Sequence, residues 1–164
     1  MSDRISISKM ALSDIDEVQE IENTCFSTPW SRLNLEFDLK SKYGKYYVAR
    51  INEKIVGFIG MLHVVDEGHV TNVAVLPEFR RCGIAKLLIQ TLIDYSKRKY
   101  INYIFLEVRR SNLPAILLYQ SFGFAETGER RDYYVNPVEN ALLMTKTFRM
   151  EEENEDFGDR NVMR

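Results

Sequence analysis

The sequence predicts a single α/β domain with a mixed, mostly antiparallel sheet, one parallel crossover and helices on both faces. Three observations lead to this fold class. The length of 164 residues suits one domain that can bury enough apolar surface to fold without disulfides or metals. Segments of β-branched and aromatic residues alternate with segments whose apolar residues recur at helical spacing. Their order, β-α-α-β-β-β-α-β-α-β-β, combines a three-stranded meander with one crossover through a helix.

The first quarter of the chain is expected to hold one strand and two helices. Residues 4–8 alternate polar and apolar side chains, which is typical of a strand with one buried face. Ser13, with Asp16 three positions later, has the pattern of a capping box that opens a helix. Pro29 interrupts the helical periodicity because the residue before a proline disfavours the helical conformation. A second helix over 31–39 can then be capped by its first serine.

The middle of the chain predicts an antiparallel meander. Aromatic and β-branched residues are concentrated in three strands, which are separated by two turns rich in Asn, Asp, Glu and Gly. We place the strands at 46–51, 55–65 and 70–75, and the turns at 52–54 and 66–68.

The second half predicts a crossover helix, a strand, a last helix and two final strands. Apolar residues recur at helical spacing between 84 and 98, and a mostly apolar strand follows at 103–108. Asn112 can cap the last helix, and Gly123 stands where a left-handed residue would end it. The final strands are expected near 124–133 and 141–147.

Composition excludes several classes of protein. With 45% hydrophobic and 28% charged residues, the chain resembles an ordinary globular protein. No apolar run approaches the roughly 20 residues that cross a bilayer, and the start lacks a secretory signal. We therefore expect a cytoplasmic protein that does not act on a membrane.

Charge is distributed unevenly along the chain. Six of the 24 acidic residues but only two of the 22 basic ones fall within 151–164. That segment has few apolar residues and no periodicity, so we expect a domain over 1–150 followed by an acidic, disordered tail. The rest of the chain is nearly balanced in charge, which does not suit direct binding to nucleic acid.

The cysteines and histidines do not predict a metal site or a disulfide framework. Cys25 and Cys82 are far apart and outside CxxC spacing. His63 and His69 have neither cysteine neighbours nor an HExxH pattern, so each is expected to be an ordinary polar residue. No metal cofactor is expected.

A phosphate-binding loop is predicted between the strand ending at Val75 and the helix beginning at Ile84. Such a junction leaves main-chain N–H groups unpaired at a helix N-terminus, where the helix dipole also favours an anion. The small residues Gly83 and Ala85 would let a ligand approach the main chain closely. The spacing differs from GxGxxG and from a Walker loop, which argues against a Rossmann or nucleotide-triphosphatase site.

Two further residues suggest catalysis. Glu107 places a carboxylate in an otherwise apolar strand, where an unpaired charge is costly; the alternative is a structural ion pair with an arginine. Tyr119 lies among apolar residues of the last helix, and its alternative is a packing role with the hydroxyl at the surface. Cys82 could in principle carry an acyl group, but it occupies an unconstrained position of the loop.

At this point the sequence resembles the GNAT superfamily of acetyltransferases, and within it the bacterial RimI group of ribosomal-protein-alanine N-acetyltransferases, over residues 4–148. The loop R-R-C-G-I-A at 80–85 is similar to the pyrophosphate loop of that family. The segments L-E-V-R-R-S-N at 106–112 and A-I-L-L-Y-Q-S-F-G-F at 115–124 match its second conserved block.

The resemblance implies a GNAT fold whose sheet is splayed at the coenzyme site and which uses acetyl-CoA as cosubstrate. It implies that main-chain groups around Val73, Ala74 and Val75 bind the pantetheine, and that Asn112 contacts the coenzyme arm. Glu107 would be the general base and Tyr119 the general acid. The pyrophosphate would be bound by a loop that comprises Arg81, Cys82, Gly83, Ile84, Ala85 and Lys86.

The resemblance also implies an acceptor: the N-terminal amine, expected to belong to alanine, of a small-subunit ribosomal protein. The residues expected to frame it are Phe26, Pro29, Trp30, Arg131, Tyr133 and Tyr134. Two alternatives remain open at this stage. One is a GNAT enzyme that acetylates lysine or a small-molecule amine such as a polyamine, and the other is a non-catalytic acyl-CoA-binding module.

Overall fold

The computed structural model describes residues 4–148, which form one seven-stranded sheet with helices on both faces. The predicted tail at 151–164 lies outside the described residues. The sheet has the strand order β1-β2-β3-β4-β5-β7-β6. The strands are β1 (Ile5–Lys9), β2 (Gly44–Ile51), β3 (Lys54–Val64), β4 (Glu67–Val75), β5 (Tyr103–Arg109), β6 (Ala125–Val135) and β7 (Val138–Thr147).

The described part of the chain has four α-helices: α1 (Ile15–Cys25), α2 (Arg32–Lys40), α3 (Ile84–Arg98) and α4 (Leu113–Ser121). Helix α3 connects β4 to β5. Among the strands that the structure describes, these two are the one parallel pair of neighbours, and the other five pairs are antiparallel. The predicted mixed sheet with a single parallel crossover is therefore confirmed. Within 4–148, no helix is long and apolar enough to span a membrane.

Two hydrophobic cores lie on opposite faces of the sheet. Alternation along β2 shows this directly: Tyr47 and Ala49 belong to the core under α3 and α4, whereas Tyr46 and Val48 belong to the core under α1 and α2. All four residues are buried, so the strand is covered on both sides. The predicted coverage of both faces is confirmed.

The predicted start of the first helix needs a correction. Ser13 does not cap it; residues Leu12–Asp14 form a short 3-10 turn, and α1 begins at Ile15. The Asp14 carboxylate accepts a hydrogen bond from the Ala11 N–H at 2.8 Å and pairs with Arg50 at 2.6 Å. A contact with β2, distant in sequence, thus fixes this helix start.

The other helix boundaries follow the sequence signals. The Ser31 hydroxyl accepts from the Asn34 N–H at 3.2 Å, and the Asn112 side chain accepts from the Ala115 N–H at 3.3 Å. Gly123 has φ of +88°, as a left-handed residue after a helix should. Helix α3 has the predicted bounds, and most strands begin or end within three residues of the predicted positions.

Candidate active site

The sheet is splayed between its two parallel strands. Strands β4 and β5 pair only at Glu67 with Tyr103, Gly68 with Ile104 and His69 with Phe105. Beyond these pairs the strands separate, and among residues 4–148 no strand pairs with the rest of β4 on that side. We refer to this opening between 70–75 and 106–109 as the gap.

The register of β3 and β4 shows which main-chain groups face the gap. The Leu76 N–H donates to the Val56 carbonyl at 2.8 Å, and Ala74 lies opposite Phe58, two residues earlier on the same ladder. In an antiparallel ladder, alternate residues direct their main-chain groups to opposite edges. The main chain of Ala74 therefore faces β3, while the N–H groups of Val73 and Val75 face the gap.

The predicted phosphate-binding loop precedes α3. Gly83 has φ of +81° and Arg81 has φ of +63°, so the chain makes two left-handed steps here. A Cβ atom at Gly83 would meet nothing within 4 Å, so open space borders the main chain at the start of the helix. Arg81, Cys82 and Lys86 are exposed around this space, whereas Ile84 is buried and Ala85 packs against the core.

Asn112 caps helix α4 in addition to its predicted role in coenzyme binding. Its side-chain oxygen caps α4 through the Ala115 N–H. The cap uses only the oxygen, so the amide N–H groups remain for a ligand. The residue is exposed, and α4 follows β5 directly, which keeps Asn112 on the β5 side of the gap.

Glu107 lies on the sheet face that α1 and α2 occupy. Its neighbours Leu106 and Val108 point into the opposite core, and its own side chain is about one third exposed. Its ion-pair partner is Arg130, whose Nη2 is 3.9 Å away and whose side chain is mostly exposed. A long, solvent-accessible pair of this kind contributes little stability, which leaves the Glu107 carboxylate available to a substrate.

Tyr119 lies on the opposite side of the gap, in the core under α3 and α4. It is buried and packs its ring against Phe124. Burial, and to a lesser extent Tyr134, raise the pKa of its hydroxyl, so the phenol remains protonated through the neutral range. Within 4–148 no hydrogen bond to this hydroxyl is formed. Tyr119 also lines an apolar cavity beside the gap, together with Val70, Val73, Ile104 and Leu106.

These positions place the two predicted catalytic groups on opposite faces of the opened sheet. Tyr134 is an electrostatic neighbour of both, since its hydroxyl interacts with that of Tyr119 and with the carboxylate of Glu107. The Glu107 carboxyl group and the protonated Tyr119 phenol flank the gap. This arrangement can take a proton from a group on one face and give a proton to a group on the other.

The predicted acceptor residues come from two segments. Phe26 and Trp30 are half-buried against the core under α1 and α2, and Pro29 is exposed between them. Tyr133 and Tyr134 belong to β6 and stand edge to face with ring centroids 5.0 Å apart. Burial, followed by the effects of Tyr133 and Glu107, raises the pKa of Tyr134 to about 12.

A bulge in β6 shapes this second segment. The pairing with β7 shifts between Arg130 and Tyr134, and Asp132 has φ of +51°. The Asp132 N–H donates to Oδ1 of Asn140 at 2.9 Å, so a side chain provides the hydrogen-bond acceptor for the main chain at the bulge. Arg131 is exposed at the bulge. It is Arg130 that approaches Glu107, and its guanidinium lies 5.7 Å from the Tyr133 ring.

The sequence interpretation also missed Arg109, which orders the turn between β6 and β7. Its guanidinium lies over the Tyr134 ring at 4.3 Å, donates to the Pro137 carbonyl at 3.0 Å and pairs with Glu139 at 3.2 Å. Hydrogen bonds from Ser111 hold the pKa of Glu139 below its usual value. The signal was present in the sequence, since Arg109 shares the sheet face of Glu107 by its spacing of two residues.

Comparison with known proteins gives a family match over most of the chain. The model of the acetyltransferase (GNAT) family matches residues 15–124. A [ribosomal protein bS18]-alanine N-acetyltransferase from Haemophilus influenzae is 36% identical over 141 residues, covering 84% of this chain and 95% of that protein. One from Escherichia coli (strain K12) is 33% identical over 141 residues, covering 85% and 95%.

A solved structure gives the same result. The crystal structure of the ribosomal-protein-S18-alanine N-acetyltransferase from Escherichia coli is similar to this chain with a TM-score of 0.85 and 31% sequence identity. The match covers 92% of this chain and 98% of that one. The similarity thus extends over most of this chain and nearly all of that one.

Proposed function

The chain belongs to the acetyltransferase (GNAT) family, and from that premise we propose that it transfers acetyl from acetyl-CoA to the N-terminal amine of a protein. The acceptor we propose is an N-terminal alanine of a small-subunit ribosomal protein of the bS18 kind, as in the names of the relatives. The observation that carries the proposal is the placement of Glu107 and Tyr119 on opposite faces of the gap.

The residues around the gap fit the coenzyme. Val73 and Val75 present main-chain N–H groups to it, and the open space at Gly83 admits a bulky anion to the start of α3. Arg81 and Lys86 supply positive charge beside that space, and Asn112 supplies amide donors from the other strand. When bound, acetyl-CoA provides the acetyl group as a thioester that the amine attacks directly.

We propose that two side chains of the protein each transfer one proton during the reaction. Glu107 accepts a proton from the attacking amine, through a water, on the face of the sheet that α1 and α2 occupy. Tyr119 holds its proton because burial raises its pKa, and it donates that proton to the departing sulfur. The N–H groups of Val73 and Val75 face the gap, where they can stabilise negative charge that develops on the carbonyl oxygen.

The chemistry of amines favours a protein N-terminus over lysine. An amine attacks only when neutral, and an α-amine has a pKa near 7.7 to 8.0, whereas that of lysine is near 10.4. At pH 7 the neutral fraction of an α-amine is therefore roughly 300-fold larger, which corresponds to about 3.4 kcal/mol. A site with one carboxylate base is adequate for the α-amine.

The alternative acceptors, lysine and small-molecule amines, can be separated from this proposal by CoA release. We expect rapid release with a peptide that begins with alanine. With a peptide whose N-terminus is blocked and which contains lysine, and with a polyamine, we expect release at least about 100-fold slower, because the neutral amine is scarce. Comparable release with either of these would contradict the proposed acceptor, and absence of release with every amine would indicate a non-catalytic module.

Substitution of Gly83 tests the coenzyme site separately. Gly83→Val should weaken acetyl-CoA binding at least about tenfold, because a branched side chain would enter the open space at the start of α3 and would strain a residue with φ of +81°. Gly123→Val, at the other left-handed glycine, with φ of +88°, carries similar backbone strain and a close contact with Nζ of Lys146 at 2.9 Å, and serves as the control away from the loop. Calorimetric titration measures both; unchanged affinity in Gly83→Val would remove this loop from the binding site.

A further inference from the structure

Two side chains of α1 hold the main chain of Trp30, in the loop proposed to contact the acceptor. The Trp30 N–H donates to Oε2 of Glu22 at 3.2 Å, and Nε2 of Gln19 donates to the Trp30 carbonyl at 2.8 Å. Gln19 and Glu22 stand three residues apart, so they project from the same face of the helix. Both main-chain hydrogen-bonding groups of Trp30 are therefore fixed by α1.

Glu22 also connects this loop to β4. Its Oε1 accepts a hydrogen bond from Nδ2 of Asn72, and its side chain is 0% exposed. Asn72 directly precedes Val73, whose main chain faces the gap. A single carboxylate thus joins the acceptor loop to the strand proposed to bind acetyl-CoA. We refer to Gln19, Glu22, Trp30 and Asn72 as the Glu22 cluster.

The Glu22 cluster is a costly arrangement for a core. Burial raises the pKa of Glu22, and the hydrogen bonds from Trp30 and Asn72 oppose that effect. Within the described residues, Oε1 of Gln19 and Oδ1 of Asn72 are buried without a hydrogen-bond partner. Apolar side chains of similar volume would give equal or greater stability at such a place. Stability alone therefore does not account for the cluster.

We propose that Glu22 and Gln19 are positioning residues for acetyl transfer, which hold the acceptor loop (26–31) against the strand that borders the gap. The inference rests on the proposed function, since it concerns how the same site receives its acceptor. Phe26 and Trp30 pack against the core under α1 and α2, and the bonds from Gln19 and Glu22 fix the main chain of Trp30 within the loop. Acceptor binding, rather than coenzyme binding, should be the step that suffers.

The experiment compares three variants with the full-length chain. Glu22→Leu removes the acceptor of two hydrogen bonds at similar volume. Glu22→Gln preserves both: its oxygen accepts from the Trp30 N–H, and its amide donates to Oδ1 of Asn72 once the Asn72 amide rotates. Glu20→Leu makes the same change at an exposed carboxylate of α1 and is the control. The measurements are KM for an alanine-terminated peptide, kcat, acetyl-CoA affinity and iodide quenching of Trp30, the one tryptophan of the chain.

Glu22→Leu should raise the KM for the peptide about tenfold, the size of one net hydrogen bond, with kcat within about threefold and acetyl-CoA affinity unchanged. Trp30 should become more accessible to iodide. Glu22→Gln and Glu20→Leu should stay near the values of the unaltered protein. If Glu22→Leu does not fold, Gln19→Leu at a half-buried position provides the same readouts, with the same expected increases.

Unchanged KM and quenching in the leucine variant that is measured would overturn the inference. So would a Glu22→Gln variant as impaired as Glu22→Leu, because charge rather than hydrogen bonding would then be the cause. The quenching comparison needs no substrate. If the unaltered protein does not turn over an α-amine, the proposed function fails, while quenching still decides whether Glu22 and Gln19 position the loop.

Discussion

Glu107→Gln should lower kcat by about 10²- to 10⁴-fold, the range expected when a general base is removed, and should leave acetyl-CoA affinity unchanged. The substitution preserves the shape of the side chain and removes its negative charge, and with that charge its ability to take a proton. Its ion pair with Arg130 is long and solvent-accessible, so the free energy of unfolding should change by less than about 1 kcal/mol. Stopped-flow or steady-state CoA release, with calorimetry for binding, measures these quantities.

A matched carboxylate variant should identify Glu107 as the group concerned. Glu126→Gln, at an exposed carboxylate that pairs with Arg110, is the matched control and should behave like the unaltered protein. A Glu107→Gln variant with full turnover would defeat the assignment of the base.

Tyr119→Phe should also lower kcat by about 10²- to 10⁴-fold, because the departing sulfur loses its proton donor. No described hydrogen bond to the Tyr119 hydroxyl is lost, so the melting temperature should stay nearly the same. Because burial raises the pKa of this phenol, the unaltered protein should keep its activity on the alkaline side up to at least about pH 10, the ordinary pKa of tyrosine.

Tyr95→Phe is the informative control for Tyr119. Tyr95 is also a buried tyrosine of the same core, but its hydroxyl is hydrogen-bonded to Nδ1 of His63 at 2.8 Å. Its removal should cost about 1 kcal/mol of stability and leave kcat unchanged. The two phenylalanine variants should therefore show opposite patterns. Equal turnover in Tyr119→Phe and in the unaltered protein would leave the proton donor unassigned.

Local signals in the sequence were sufficient for most of the fold. Helix α3 has the predicted bounds because its apolar periodicity is strong and Gly83 marks its start. Ser31, Asn112 and Gly123 act where their residue types predict, since capping depends on atoms within three or four positions. The predicted start of α1 was wrong because Asp14 is held by Arg50, which is 36 positions away and gives no local signal in the sequence.

The candidate site was predictable only in part, because only some of its residues lie in short local motifs. The loop at Gly83 and the carboxylate of Glu107 follow from short motifs, although their catalytic use remains a prediction. The Glu22 cluster could not be found, because Glu22 and Asn72 are 50 positions apart. Arg131 as a neighbour of the acceptor stays a prediction. The bulge in β6 changes the alternation of side chains after Arg130, so the sequence pattern did not indicate that Arg130 approaches Glu107.

The position of the transferred acetyl group tests the central claim most directly. Two peptides of one sequence, each containing a lysine, are incubated with the protein and acetyl-CoA; one begins with an unmodified alanine and the other has that end blocked. Tandem mass spectrometry should find the acetyl group on the alanine α-amine of the first peptide and should find the second peptide unmodified. Equal acetylation of the lysine in the blocked peptide would contradict N-terminal acetylation and would favour a lysine acetyltransferase.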